Sequence, residues 1–126
     1  MEIKIATIPL PEANPATNIT LVEMNGEVTY NTAPMVEDQL LPLAQPQVKL
    51  LLDMTKVPYM SSAGLRMMLS LYRQVTNQEG QIVLVGLVDD IKDTMSITGF
   101  LDYFINCDTV EAGIAALKNQ PQVLPT

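Results

Sequence analysis

The feature that most constrains the fold is one continuous strand–loop–helix run near the middle of the chain. In Val48-Lys49-Leu50-Leu51-Leu52 the three leucines are apolar at consecutive rather than alternate positions. That is the pattern of a strand covered on both faces, as at the centre of a helix-flanked sheet. After the loop Asp53 to Met60, the residues Leu65, Met68, Leu69, Tyr72 and Val75 recur at i, i+3, i+4, i+7 and i+10, the stripe of an amphipathic helix. The helix opens at Ser61-Ser62. A buried strand that feeds a helix through a short loop implies an α/β architecture.

The flanking segments extend this unit. Glu2 to Ile8 alternates well enough for a first strand with Ile3 and Ile5 on one face, and Pro9, Pro11 and Pro15 predict an extended loop after it. Asn18 to Met24 reads as a second strand, antiparallel to the first and closed by the turn pair Asn25-Gly26. Asn31 or Thr32 is expected to cap a helix with Pro34 in its first turn and Glu37 and Asp38 near its positive end, stopping before Pro42 and Pro46. Gly80 marks a turn and Ile82 to Val85 another buried strand. Asp89 or Asp90 is expected to cap a helix running through Met95 and stopped by Thr98-Gly99. A strand is predicted at Tyr103-Phe104-Ile105, and Asp108-x-x-Glu111 has the spacing of a capping box before Ala112 to Leu117. The order predicts a mixed sheet of about four to five strands covered by about four helices, in one domain over 1–118, with a frayed tail at 119–126.

Composition narrows the function. The formal net charge is −7, with seven basic residues scattered singly, so neither nucleic acid nor an anionic membrane is an expected partner. No apolar run approaches the roughly 18 residues of a membrane span. Met1-Glu2-Ile3-Lys4-Ile5 does not open a signal peptide, and the single Cys107 has no partner for an intramolecular disulfide. A soluble, cytoplasmic protein is expected. With no histidine in the chain, Ser-His-acid triads, Cys-His pairs and histidine metal sites are all excluded. No Walker loop or GxGxxG is present, and no cofactor is expected. Carboxylate chemistry is left open by that argument, although the one adjacent acid pair, Asp89-Asp90, is better explained as helix capping.

The two serines therefore hold the most interest. Serine is a preferred N-cap for hydrogen-bonding reasons alone. A helix start also favours an added negative group by about 0.3–1 kcal/mol, because its free N–H groups and dipole point outward. A phosphate at that place would be tolerated by the fold and visible to a partner. The run Asp53-x-x-x-Val57-x-Tyr59-Met60-Ser61-Ser62-Ala63-Gly64-Leu65 resembles the signature of the STAS domain, named for sulfate transporters and anti-sigma factor antagonists, and the order of flanking elements extends the resemblance over roughly residues 1 to 118.

The resemblance implies a STAS fold and a non-enzymatic switch: an anti-sigma factor antagonist phosphorylated on serine by a kinase that is also the anti-sigma factor, and restored by a serine phosphatase. In that family the acceptor serine precedes a small residue and Gly-Leu, which maps onto Ser62-Ala63-Gly64-Leu65, with Ser61 the second choice. Thr29, Ser61, Ala63 and Gly64, with Arg66 one turn on and Met67, make the expected partner-binding set. Met67 and Leu71 lie beside the main stripe at i, i+4, where they can expose an adaptable apolar surface. Two positions depart from well-studied members: Ser61 stands where an acid precedes the acceptor, and Gly26-Glu27-Val28-Thr29 ends in Thr where an Asp is usual. Both bear on kinase recognition. The alternatives are a constitutive STAS scaffold or small-ligand module, and a degenerate phospho-acceptor receiver using Asp53. A receiver needs an acidic cluster after its first strand to hold Mg²⁺, where this chain has Thr7-Ile8-Pro9.

Overall fold

The computed structural model describes residues 1–10 and 17–119. Among these residues five strands, β1 (Glu2–Leu10), β2 (Thr17–Asn25), β3 (Lys49–Lys56), β4 (Gln81–Val85) and β5 (Ile105–Cys107), form one sheet in the order β1-β2-β3-β4-β5. The β1/β2 pair is antiparallel and every later pair parallel. Among the described residues three α-helices connect successive parallel strands, α1 (Ala33–Leu40), α2 (Ser62–Asn77) and α3 (Asp89–Ile97), and a fourth, α4 (Val110–Asn119), follows β5. This is the mixed α/β sheet expected from the sequence, and two consecutive antiparallel strands at its edge break the βαβ start a receiver requires.

The consecutive leucines of β3 explain the layering. Leu50, Leu52 and Met54 point into the larger core, which also holds Val36 of α1, Met68 and Leu71 of α2, and Ile91 and Met95 of α3. Leu51 points the other way, to Val83, Val85 and Leu117 of α4. Three helices therefore cover one face and α4 the other. Lys49 at the start of β3 is itself buried, 8% exposed, and its Nζ donates to the Leu117 carbonyl oxygen at 2.7 Å. The ammonium thus meets the negative end of α4 and satisfies a carbonyl the helix leaves unpaired.

Several local expectations are corrected. The last strand is Ile105–Cys107 and not Tyr103-Phe104-Ile105, because Phe100–Tyr103 winds into a 3₁₀ turn that delivers Phe104 to the core. Val88 is the N-cap of α3, which moves Asp89 and Asp90 into the first turn, where they still face the positive helix end. Gly99 stops the helix in the left-handed region at φ 80°. Thr109, not Asp108, caps α4, its Oγ1 accepting from Ala112 N at 3.1 Å. Thr32 is the N-cap residue of α1, but its hydroxyl donates to the Glu27 carbonyl at 2.9 Å instead of capping the helix. Glu37 and Asp38 fall in the second turn. Pro9 remains inside β1, paired with Asn18, which an edge strand tolerates. Ile5, on the face of Ile3, is 48% exposed. Asn119 belongs to α4; Pro11, Pro15 and the tail from 120 lie outside the described residues.

Candidate functional site

The site is assembled where the ends of β2 and β3 continue their parallel pairing past the regular sheet. Gly26 N donates to the Lys56 carbonyl at 3.0 Å, Val28 N to the Tyr59 carbonyl at 2.9 Å, and Ser61 N to the Val28 carbonyl at 2.8 Å. Val28 and Met60 form an isolated bridge there. The loop before α2 is thus laced to the loop after β2, and both Val28 and Val57 are fully buried beneath it. Asp53 lies inside β3 and not at its end, because the strand runs on to Lys56, and its Oδ1 accepts from Thr55 N at 3.0 Å and from the Thr55 hydroxyl. Its carboxylate is thus committed to the last residues of the strand, just before the loop.

From this platform the chain enters α2. Ser61 has extended geometry, φ −77° and ψ 173°, and its Oγ accepts from Gly64 N at 3.3 Å, the bond of an N-cap. Ser62 is the first helical residue, exposed, with no hydrogen bond to its hydroxyl among the described residues. The two serines divide the work: one holds the helix, the other presents a free hydroxyl at its positive end. Urea melts are expected to show the difference. Ser61→Ala should lose about 1 kcal/mol, the cost of a cap, and Ser62→Ala no more than about 0.5 kcal/mol. A larger loss for Ser62→Ala would mean the cap is wrongly assigned.

Gly64 is a packing requirement. A Cβ there would lie 2.5 Å from Met60 Cγ and 2.8 Å from Val28 Cγ1, so only glycine lets the first turn of α2 seat on the bridge. Thr29 is half-buried, and its Oγ1 accepts from Asn31 N at 3.2 Å and Thr32 N at 3.3 Å. Thr29 N in turn donates to Thr32 Oγ1 at 2.8 Å. A carboxylate could accept the same turn bonds, so threonine preserves the loop while removing a charge.

Of the expected partner-binding residues, Ser61, Ala63 and Arg66 reach the surface of the α2 start, whereas Gly64 and Met67 are buried. The apolar surface expected at Met67 and Leu71 is not there, since they are 3% and 0% exposed. Helix α1 packs on α2 and covers this second apolar row. Two tyrosines supply the surface instead. Tyr59, in the loop before Ser61, is 51% exposed, and Tyr30, beside Thr29, is 77% exposed. Neither falls in a periodic pattern; Tyr59 is a named position of the motif, whereas the one sequence signal of Tyr30 is a large aromatic residue next to a turn residue.

The comparisons with known proteins bear on the family and the fold. BtrV of Bordetella bronchiseptica, which carries an anti-sigma factor antagonist designation, is 31% identical over 96 residues, covering 75% of this chain and 83% of its own. The anti-sigma-B factor antagonist of Bacillus subtilis is 29% identical over 93 residues, covering 74% and 85%. Among solved structures, the anti-sigma factor antagonist SpoIIAA in its unphosphorylated form superposes with a TM-score of 0.68 at 11% identity, covering 94% of this chain and all of its own. Its phosphorylated form, from Bacillus, gives 0.61 at 12% identity, covering 89% and 99%. The STAS domain family matches residues 11–113, most of the chain and all of the site described above, and on that match the chain belongs to the STAS domain family.

Proposed function

We propose that this protein is a phosphorylation-gated binding protein of the anti-sigma factor antagonist kind. Unmodified, it captures an anti-sigma factor or related serine kinase; phosphorylated on Ser62, it releases that partner until a serine phosphatase restores the hydroxyl. The observation that carries the reading is the division between the serines, with Ser61 bonded to the helix and Ser62 exposed and unbonded among the described residues. The antagonist designations of the relatives support it. In the reaction, the kinase transfers the γ-phosphoryl group of ATP to Ser62 Oγ, which loses its proton, and ADP departs. The antagonist supplies the acceptor and performs no catalysis.

The test is intact mass after incubation with ATP and the candidate kinase. A gain of one phosphate that disappears in Ser62→Ala supports the reading. No gain with a kinase that binds the protein favours the second reading, a constitutive STAS scaffold, to which the uncharged Thr29 and Ser61 lend weight.

Arg66 lies four residues after Ser62, on the same helical face, and is exposed. It is positioned to neutralise part of a phosphate there, since a nearby cation favours the dianion. In the phosphorylated protein, Arg66→Ala should therefore raise the second phosphate pKa toward its ordinary value of about 6. A phosphorus NMR titration that the substitution leaves unchanged would remove Arg66 from the mechanism.

A further inference from the structure

Beside Ser62 an open groove of about 380 Å³ runs between the start of α1 and the first turns of α2. Tyr30 and Pro34 border it on one side, Ala63 and Arg66 on the other, with buried Met67 below and half-buried Glu37 in the α1 wall. Glu37 and Arg66 are oppositely charged and line the same groove, yet neither has an ion pair among the described residues.

We infer that this groove is the anchor site for the partner, taking an aliphatic side chain of the partner protein flanked by a lysine or arginine that reaches Glu37. The inference rests on the reading above and adds to it the surface and the chemistry of what is bound. The apolar part of the groove suits an aliphatic side chain, because Ala63, Pro34 and Met67 offer no hydrogen-bonding side chain to a polar one. Tyr30 supplies a large, stiff contact at the rim, the kind of residue that concentrates binding energy at interfaces. Charge selects the flanking group. The chain carries a net −7, and Glu37 is an unpaired carboxylate set partly inside the groove, where a cation is the fitting counterpart. The groove is open along its length, which suits a protruding protein segment rather than an enclosed small ligand.

The position of the groove also links it to the switch. Arg66 lines the groove and shares a helical face with Ser62, so a phosphate on Ser62 draws Arg66 toward itself and reshapes the wall against which the partner's aliphatic side chain packs. Binding and modification then compete at one place.

The test uses the purified serine kinase that modifies Ser62 in the mass experiment, titrated by calorimetry into the full chain carrying Ser62→Ala so that no phosphoryl transfer intrudes. Glu37→Arg and Tyr30→Ala should each weaken binding about tenfold or more, with thermal melts near the parent. Asp93→Arg makes the same charge change at an exposed α3 position away from the groove and should stay within about twofold. If Glu37→Arg and Tyr30→Ala both bind as the parent does, the groove is not the anchor, while the phosphorylation reading stands. An equal loss with Asp93→Arg would mean net charge alone is being sensed and would also overturn the groove. A parent that does not bind the kinase overturns both.

Discussion

Ser62→Asp is expected to lower affinity for the partner kinase about a hundredfold while leaving the fold untouched. The residue occupies the first position of α2, exposed and outside the capping bond that Ser61 makes to Gly64. A carboxylate at that place meets the free N–H groups and positive end of the helix, which accept it with a gain of a few tenths of a kcal/mol. Circular dichroism and melting temperature should therefore match wild type. The interface is another matter. A contact closed around a neutral hydroxyl must desolvate the new charge, and a hundredfold loss requires only about 2.8 kcal/mol, within what a misplaced interfacial charge costs. No refolding is needed for release. Full affinity for Ser62→Asp would show that the partner does not close over this residue.

The largest stability effect is expected at Gly64. Its missing Cβ is what allows α2 to rest on Val28 and Met60, with 2.5 Å to Met60 Cγ and 2.8 Å to Val28 Cγ1 from where that carbon would stand. Val28 cannot retreat easily, since its N–H is bonded to Tyr59, its carbonyl to Ser61, and its side chain is fully buried. Gly64→Val adds two further methyl groups to this contact. The better helix propensity of valine offsets only a fraction of a kcal/mol, so the net loss should reach about 3 kcal/mol, roughly 10 °C in melting temperature for a domain of this size. Because the displaced turn carries both serines, partner binding should fall with it. A variant as stable as wild type would show that the start of α2 does not seat on the Val28–Met60 bridge.

How much was legible from residues alone follows the range of the forces involved. The β3–α2 unit could be read because three leucines in succession and an i, i+3, i+4 stripe are local signals of burial. Ser61 as the cap followed from the reach of one hydroxyl. Errors arose where a choice between neighbours is made by the fold. Asp108 and Thr109 are both capping residues, and the backbone leaving β5 decides for Thr109. Phe104 looks like strand because it is apolar among apolar neighbours, but it reaches the core from the end of a 3₁₀ turn. Met67 and Leu71 form a second apolar row whose covering by α1 is a tertiary fact. Lys49 was hidden inside an apolar run, since its burial depends on a carbonyl 68 residues away. At the site, Tyr59, the serine pair and the glycine were visible as a motif, whereas the exposure of Tyr30 and the Glu37 wall depend on the loop after β2 and helix α1 being brought against α2.

The central claim is that one phosphate on Ser62 separates the bound from the released state without changing the fold. The most direct test is calorimetric titration of the purified kinase with unmodified protein, with protein phosphorylated on Ser62, and with the latter after phosphatase treatment. The first should bind tightly, the second about a hundredfold or more weaker, and the third with the original affinity restored. Equal affinity across all three would contradict that claim and leave a constitutive scaffold in its place.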